Sequence, residues 1–558
     1  MPTVVQNLTG EKQLSAVGAK SAKAGPVPGF GSVATSELRF IAIFALSLCL
    51  LTCVPYLIGY LTRVQDTVFT GVLDHSVDTN NYLAYAEESA SGNWLFYNPM
   101  TGEPHRAVFF NLEWLTMGKL SSSLHISLAL AMNVERVLCL VIMCFAVYWL
   151  ASLLFSAVLM RRTALVAVMA GGGFGWLASL RGLGIPVHSS YFADLNCALF
   201  PFFWELRVPH CLVSSAFVVL GLCFFLRSEH SGKIRGYAFG GLCYMASGMC
   251  RPYDMLFLMA ATSVYAAVLY VRERSLSTMR LRTRPVWICM PLLGYYLWIF
   301  KLHPVFRWWS LPGSPVPAPW IVASGYGASF VLLIFALWNI LLRKGRAAIK
   351  KPELFMLCCF SMAVLLTYLR PVFPFAFQFA TNILVPMIMV VLIGLKEPLQ
   401  RFWKRSSRAR ICFVSLLLLN SLTCIAYAGQ AAVMARRGDF RIDAKLAEAY
   451  SRLNLYARPR DVVFADFDNS NRIPQYAQVS AFCGYSNAVQ FAAKVQEQEQ
   501  FLRPDASQEF RKDLLKKNNV RFVFLTAEEQ KNLASFTTEP FLKEVFSNDA
   551  AAIYALRQ

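Results

Sequence analysis

Apolar and polar positions fall in blocks along this chain. Runs of about 16–23 apolar residues recur, each close to the length that crosses a hydrocarbon core of about 30 Å. They lie at 39–61, 134–159, 163–180, 208–226, 236–250, 255–271, 285–302, 320–342, 353–369, 381–395 and 411–428. The pattern predicts an α-helical polytopic membrane protein with about eleven transmembrane helices. The runs at 236–250 and 255–271 are short enough to suit a membrane-dipping pair as well. Beyond residue 430 the blocks give way to an ordinary mixture of charge and apolar residues. There DVVFAD (461–466), VRFVFLT (520–526) and AAIYAL (551–556) read as strands, and 441–454, 487–502 and 507–517 as helices. This divides the chain into a tail (1–38), a membrane domain (39–430) and a small soluble α/β domain (431–558).

Composition agrees with the blocks. Hydrophobic residues make up 56% of the 558, and the mean hydropathy of +0.45 is too high for an ordinary soluble protein. A net charge of +20 would point to nucleic acid in a soluble chain. Its distribution gives another answer. With the amino terminus in the cytoplasm, one side receives 161–162, 227–235, 272–284, 343–351 and 396–410, which together hold about 21 Lys and Arg and few carboxylates. This positive-inside bias requires no nucleic acid and places the carboxyl-terminal domain outside the cell membrane. Residues 1–38, rich in Gly, Ala, Ser and Lys, read as a disordered cytoplasmic tail rather than a signal peptide. The fifteen cysteines lie mostly inside apolar runs, where they serve as small apolar residues. Cys197 and Cys483 fall on the outer side, where a bridge between them is open. No Cys/His spacing suggests zinc.

The first outer loop, 62–133, is long and carries DHSVDTNNYLAYAEESASGNWLFYNPMTGEPHRAVFFNLE at 74–113. Long non-repetitive loops tend to carry function. Helical spacing predicts a helix over 79–90, Asn98-Pro99 and Thr101-Gly102 give turns, and 108–133 suits amphipathic helices at the interface. The same outer side receives Asp194, Glu205, His210, the link Arg251-Pro252-Tyr253-Asp254, and Arg370. Several of these stand at the edge of a span, where ionisable residues are costly and often functional. An acidic base, a few cations and an aromatic cleft are the groups that transfer from a lipid-phosphate donor needs.

Asp78-x-x-x-Tyr82-Leu83-Ala84, then Gly92-Asn93-Trp94-Leu95 and Asn98-Pro99-Met100-Thr101-Gly102-Glu103-Pro104, resemble the GT-C superfamily of polyprenyl-phosphate-sugar-dependent glycosyltransferases. Pro209-His210 soon after Glu205, and the Arg251–Asp254 turn, add to the likeness, which covers about 39–430 in layout. The resemblance implies a bacterial inner-membrane enzyme that moves a sugar from a polyprenyl-phosphate donor to a glycan, lipid or protein acceptor at the extracytoplasmic face. Superfamily members place a catalytic Asp or Glu in this loop, and Asp78 is the matching position. Many members carry two adjacent acids there; here Thr79 follows. Arg251 and Arg370 are the expected phosphate ligands. Glu103, His210, Asp254, Asp194 and Tyr82 are the expected supporting or acceptor-binding shell. Asp78, Glu103 and Asp194 offer oxygen ligands for Mg or Mn, and metal use stays open. Each residue has a plainer reading: Asp78 as a helix cap, Arg251 as a snorkelling anchor, Trp308 and Trp309 as an aromatic belt, Gly171–Gly173 as close helix packing. A lipid or polysaccharide transporter, or a non-catalytic envelope scaffold, are the rival functions. A transporter would call for mid-membrane ionisable groups and usually a repeat, and neither is visible in the sequence.

Overall fold

The computed structural model describes residues 32–73, 77–177, 199–207, 209–310, 316–343, 349–370 and 372–557. The expected tail, Asp194 and Cys197 lie outside the described residues. Cys483 is a free, buried thiol.

Helix α1 (Thr35–Leu61) is the first apolar run, extended upstream to include Glu37. Strand β1 (Thr67–Phe69) follows, then α2 (Val77–Ala90) and α3 (Leu112–Leu124) in the first loop, then α4 (Leu128–Leu154) and α5 (Val158–Met169). Among the described residues, six helices are long and apolar enough to cross a membrane, or eight if each bent pair counts as one span. Eleven is not reached because three of the expected spans form shorter helices: Val158–Met169 has 12 residues, and Ile234–Cys250 and Lys351–Thr367 have 17 each. The run at 320–342 breaks by 98° at Gly327, whose φ of +53° and ψ of −127° suit only glycine. The Gly171–Gly173 stretch follows the end of α5, and a Cβ on Gly172 would stand 2.9 Å from Thr423, so close packing is its role.

The helices Pro209–Ser231 and Pro252–Glu273 carry ionisable groups at both ends. At their carboxyl ends Glu229 accepts from Arg282 Nε at 2.9 Å, Tyr237 at 2.5 Å and Tyr265 at 2.9 Å. Glu273 pairs with Arg282 at 3.0 Å and Lys351 at 2.7 Å. Their amino ends bear His210 and Asp254, roughly 28 Å of helix away at 1.5 Å per residue.

The carboxyl-terminal region is a five-stranded sheet in the order β4-β3-β5-β7-β6. The strands are β3 (Val462–Phe464), β4 (Ser480–Ala481), β5 (Val520–Thr526), β6 (Leu542–Ser547) and β7 (Ala551–Leu556). The β4-β3-β5 portion is parallel and the β5-β7-β6 portion antiparallel. Val462 and Phe464 enter one core, Val463 and Ala465 the other. Both faces of the sheet are therefore covered, which is why β3 and β5 read as continuous apolar runs. The edge strand β6, with Lys543 and Glu544 exposed, lacks that run.

Two junctions attach this domain to the first loop. Strand β1 pairs antiparallel with β2 (Arg441–Asp443), in register Thr67↔Asp443 to Phe69↔Arg441. Further on, Ala481 N–H donates to the Pro99 carbonyl at 2.8 Å and Gly484 N–H to the Met100 carbonyl at 3.0 Å.

Candidate active site

Helix α2 begins at Val77, so Asp78 sits in its first turn, where the helix dipole favours a carboxylate. Asp78, Asn81, Tyr82 and Tyr85 recur at helical spacing and share a face. The Tyr485 hydroxyl, from the loop after β4, donates a hydrogen bond to Asp78 Oδ1. Burial and the nearby Asp78 charge hold the Tyr485 phenol well above its ordinary range, so it remains a donor at neutral pH. One turn on, Tyr82 stacks on Trp114 with ring centroids 5.4 Å apart and meets the His210 ring edge-on at 4.6 Å.

Helix α3 is set by Asn111. Its side-chain oxygen accepts from Trp114 N–H at 3.1 Å, and its amide donates to the Cys250 carbonyl at 2.9 Å. The second bond ties α3 to the end of the Ile234–Cys250 helix, where Pro252 forces the chain to break and restart. Arg251 stands in that break, 6% exposed. Its guanidinium pairs with Asp254 at 3.3 Å and donates to Gln378 Oε1 at 2.8 Å and Thr381 Oγ1 at 3.3 Å. Asp254, fully buried, also accepts from Ser214 at 2.5 Å and Asn382 at 2.7 Å. Both of its oxygens accept, which suits it to hold Arg251 in place.

These elements enclose a cavity of about 510 Å³. Asn81, Tyr82, Glu113, His210, Tyr485 and Asn487 give it a polar wall, and Arg251 and Lys301 supply cations. Leu256, Leu293, Leu297, Phe300, Val372 and Phe373 give it an apolar wall. Leu297 and Val372 are themselves largely exposed on an apolar surface. A second cavity of about 440 Å³, between Arg63 and Arg441 at the end of α1, contains none of the expected site residues.

No family model matches the chain, and no curated protein matches it by sequence. Solved structures do. The arabinofuranosyltransferase AftD from Mycobacteria superposes with a TM-score of 0.54 at 13% identity, over 93% of this chain and 42% of that one. The chain has the GT-C fold. Weaker likenesses extend to the Archaeoglobus fulgidus oligosaccharyltransferase (TM-score 0.47, 12% identity, 92% of this chain and 74% of that one) and to ArnT from Cupriavidus metallidurans bound to undecaprenyl phosphate (0.42, 11%, 94% and 98%).

Within this GT-C fold the residues expected from the sequence fall into three groups. Tyr82, His210 and Arg251 line the cavity; Asp78 reaches it through Tyr485, and Asp254 stands behind Arg251. Glu103 is elsewhere. It pairs with the buried Lys494 at 2.5 Å and accepts from Thr101, so it serves to dock the carboxyl-terminal domain. Arg370 is exposed and is not among the lining residues, although the lining resumes at Val372. Asp194 lies outside the described residues. Of the oxygen set expected for Mg or Mn, Glu103 is paired with Lys494; among the described residues no three His, Cys, Asp or Glu side chains converge. Asn81, Glu113, Lys301, Trp309 and Tyr485 complete the cavity without having been singled out as site residues from the sequence. Trp309, expected in an aromatic belt, instead packs against Phe109 at 4.8 Å and Tyr85 at 5.8 Å.

Proposed function

We propose that this chain is a glycosyltransferase that moves a sugar from a polyprenyl-phosphate donor to an acceptor hydroxyl or amide at the extracytoplasmic face of a bacterial inner membrane. The observation that carries the reading is the Asp78–Tyr485 pair at the polar wall of a cavity whose other walls are cationic and apolar. AftD, on which the fold rests, is an arabinofuranosyltransferase, and glycosyl transfer is the activity proposed here as well.

In this reading the apolar wall takes the first isoprene units and opens towards lipid past Leu297 and Val372. Arg251 and Lys301 hold the phosphate and offset the charge it gains on leaving. Asp78 takes the proton of the acceptor as its oxygen or nitrogen bonds to the anomeric carbon and the bond from that carbon to the phosphate oxygen breaks. The Tyr485 hydroxyl fixes the carboxylate orientation.

The test uses the full chain in lipid nanodiscs with labelled polyprenyl-phosphate sugars. Asp78→Asn keeps shape and hydrogen bonding but removes the base, so transfer should fall by about 10³-fold with thermal unfolding unchanged. Undiminished transfer by the folded variant rejects Asp78 as the base.

A further inference from the structure

The second cavity, of about 440 Å³, lies where the end of α1 meets the β1–β2 ribbon. A Cβ on Gly59 would stand 2.6 Å from the Phe69 ring, so that ring lies directly on the helix backbone. Tyr60 meets Phe69 edge-on at 4.9 Å, and both line the space. Arg441, from β2, donates to the Gly59 carbonyl at 2.6 Å and to the Thr62 carbonyl. It thereby takes up carbonyls at the carboxyl end of α1, whose partial negative charge would otherwise repel an anion. Arg63 also lines the cavity. It is exposed and has no hydrogen bond or ion pair among the described residues. No Asp or Glu lines the space; Asp66, on the same linker, is not among its walls. Thr62 and Gln65 add a hydroxyl and an amide. Two guanidinium groups beside one opening, with no acid to offset them, suit a phosphate.

The height of the cavity along α1 says what carries that phosphate. The helix is long and apolar enough to cross a membrane, and Leu46, Leu50, Val54, Leu57 and Leu61 are all exposed at helical spacing. At 1.5 Å per residue this stripe covers roughly 22 Å, more than one leaflet of a hydrocarbon core about 30 Å thick. It ends at Leu61, next to the cavity wall at Thr62. Tyr60 stands where aromatic residues mark the edge of the hydrocarbon. We propose that the cavity holds the phosphate of an anionic phospholipid headgroup, in the leaflet nearest the carboxyl-terminal domain, with Arg63 as its ligand and the acyl chains on the α1 stripe. The site shares no lining residue with the Arg251 cavity and is independent of the glycosyl-transfer reading. Seated beside Arg441, the phosphate offsets the charge of both arginines and tightens the β1–β2 junction that joins the first loop to the carboxyl-terminal domain.

The test follows backbone hydrogen exchange of the full chain in nanodiscs of phosphatidylcholine, of phosphatidylcholine with phosphatidylglycerol, and of phosphatidylcholine with inorganic phosphate in the buffer. Phosphatidylglycerol should slow exchange across residues 62–70 and 441–443 of wild type by at least about 3-fold. Arg63→Gln, which removes no hydrogen bond among the described residues, should abolish that slowing. Arg408→Gln, at an exposed arginine outside the cavity, should keep it. No slowing in wild type, the same slowing in Arg63→Gln, or its loss in Arg408→Gln overturns the site. Inorganic phosphate that reproduces the slowing in phosphatidylcholine overturns the lipid as its occupant.

Discussion

The helices Pro209–Ser231 and Pro252–Glu273 run from one set of ionisable groups to another, and the two sets are finished differently. At the carboxyl ends Glu229 and Glu273 are met by Arg282, Lys351, Tyr237 and Tyr265. At the amino ends Asp254 is equally well met, yet Arg251, which it holds, and His210 line a cavity. A bare buried polar group costs on the order of 1–3 kcal/mol. Every carboxylate oxygen of Glu229 and Glu273 is met, which fits that end for stability, whereas the other end borders the cavity.

Mutations at the two ends should therefore separate stability from turnover. The largest stability effect belongs to the paired end. Arg282→Met leaves Glu229 buried without its cation and should lower stability by about 3 kcal/mol, seen as an earlier thermal transition, with transfer per folded molecule within two-fold of wild type. A matching loss of turnover would erase the distinction. At the cavity end, Tyr485→Phe removes only the donor to Asp78. It should lower kcat about 10- to 100-fold with KM little changed and with the thermal transition in place.

A smaller effect is expected where the first loop meets the carboxyl-terminal domain. Lys494→Met strands Glu103 and should loosen the docking by about 1–2 kcal/mol, read as faster limited proteolysis between the last membrane helix and β3. The smallest concerns Glu88, near the docked loop. Burial pushes its carboxyl up to about 7, although Tyr97, Arg460 and Asn93 pull it down. Because the folded value is raised, its contribution is complete below about pH 4.5 and is lost as pH rises through 7. Wild type should lose of order 1 kcal/mol relative to Glu88→Gln between pH 5 and pH 8, measured as diverging melting curves.

Local signals were readable from the sequence. The spacing of Tyr82, Tyr85 and Ala86 marks α2, proline marks the break at Arg251, and two-sided burial of β5 and β7 leaves apolar runs that match their full extents. Partnership over long separations was not readable. Gly484-Tyr485-Ser486-Asn487 looks like any polar turn, and only the fold brings Tyr485 to Asp78, 407 residues away. Glu103 reads as part of the supporting shell until Lys494 is placed beside it, because only a carboxylate's neighbours show whether it ties two segments together. Arg370 and Arg251 both adjoin proline near a span edge, yet only Arg251 is drawn inward, by an aspartate three residues on. Glu113 was passed over as one acid in an amphipathic stretch. Only the fold places it on the cavity wall.

The separation between Asp78 and Tyr485 also bears on biosynthesis. The ribosome releases the first loop long before it reaches the tyrosine, and the β1–β2 register likewise waits for residues 441–443. Through most of its insertion the growing polypeptide thus holds a carboxylate without its aligning partner. Chains cut short before the last domain would lack both the Asp78–Tyr485 contact and the β1–β2 pairing.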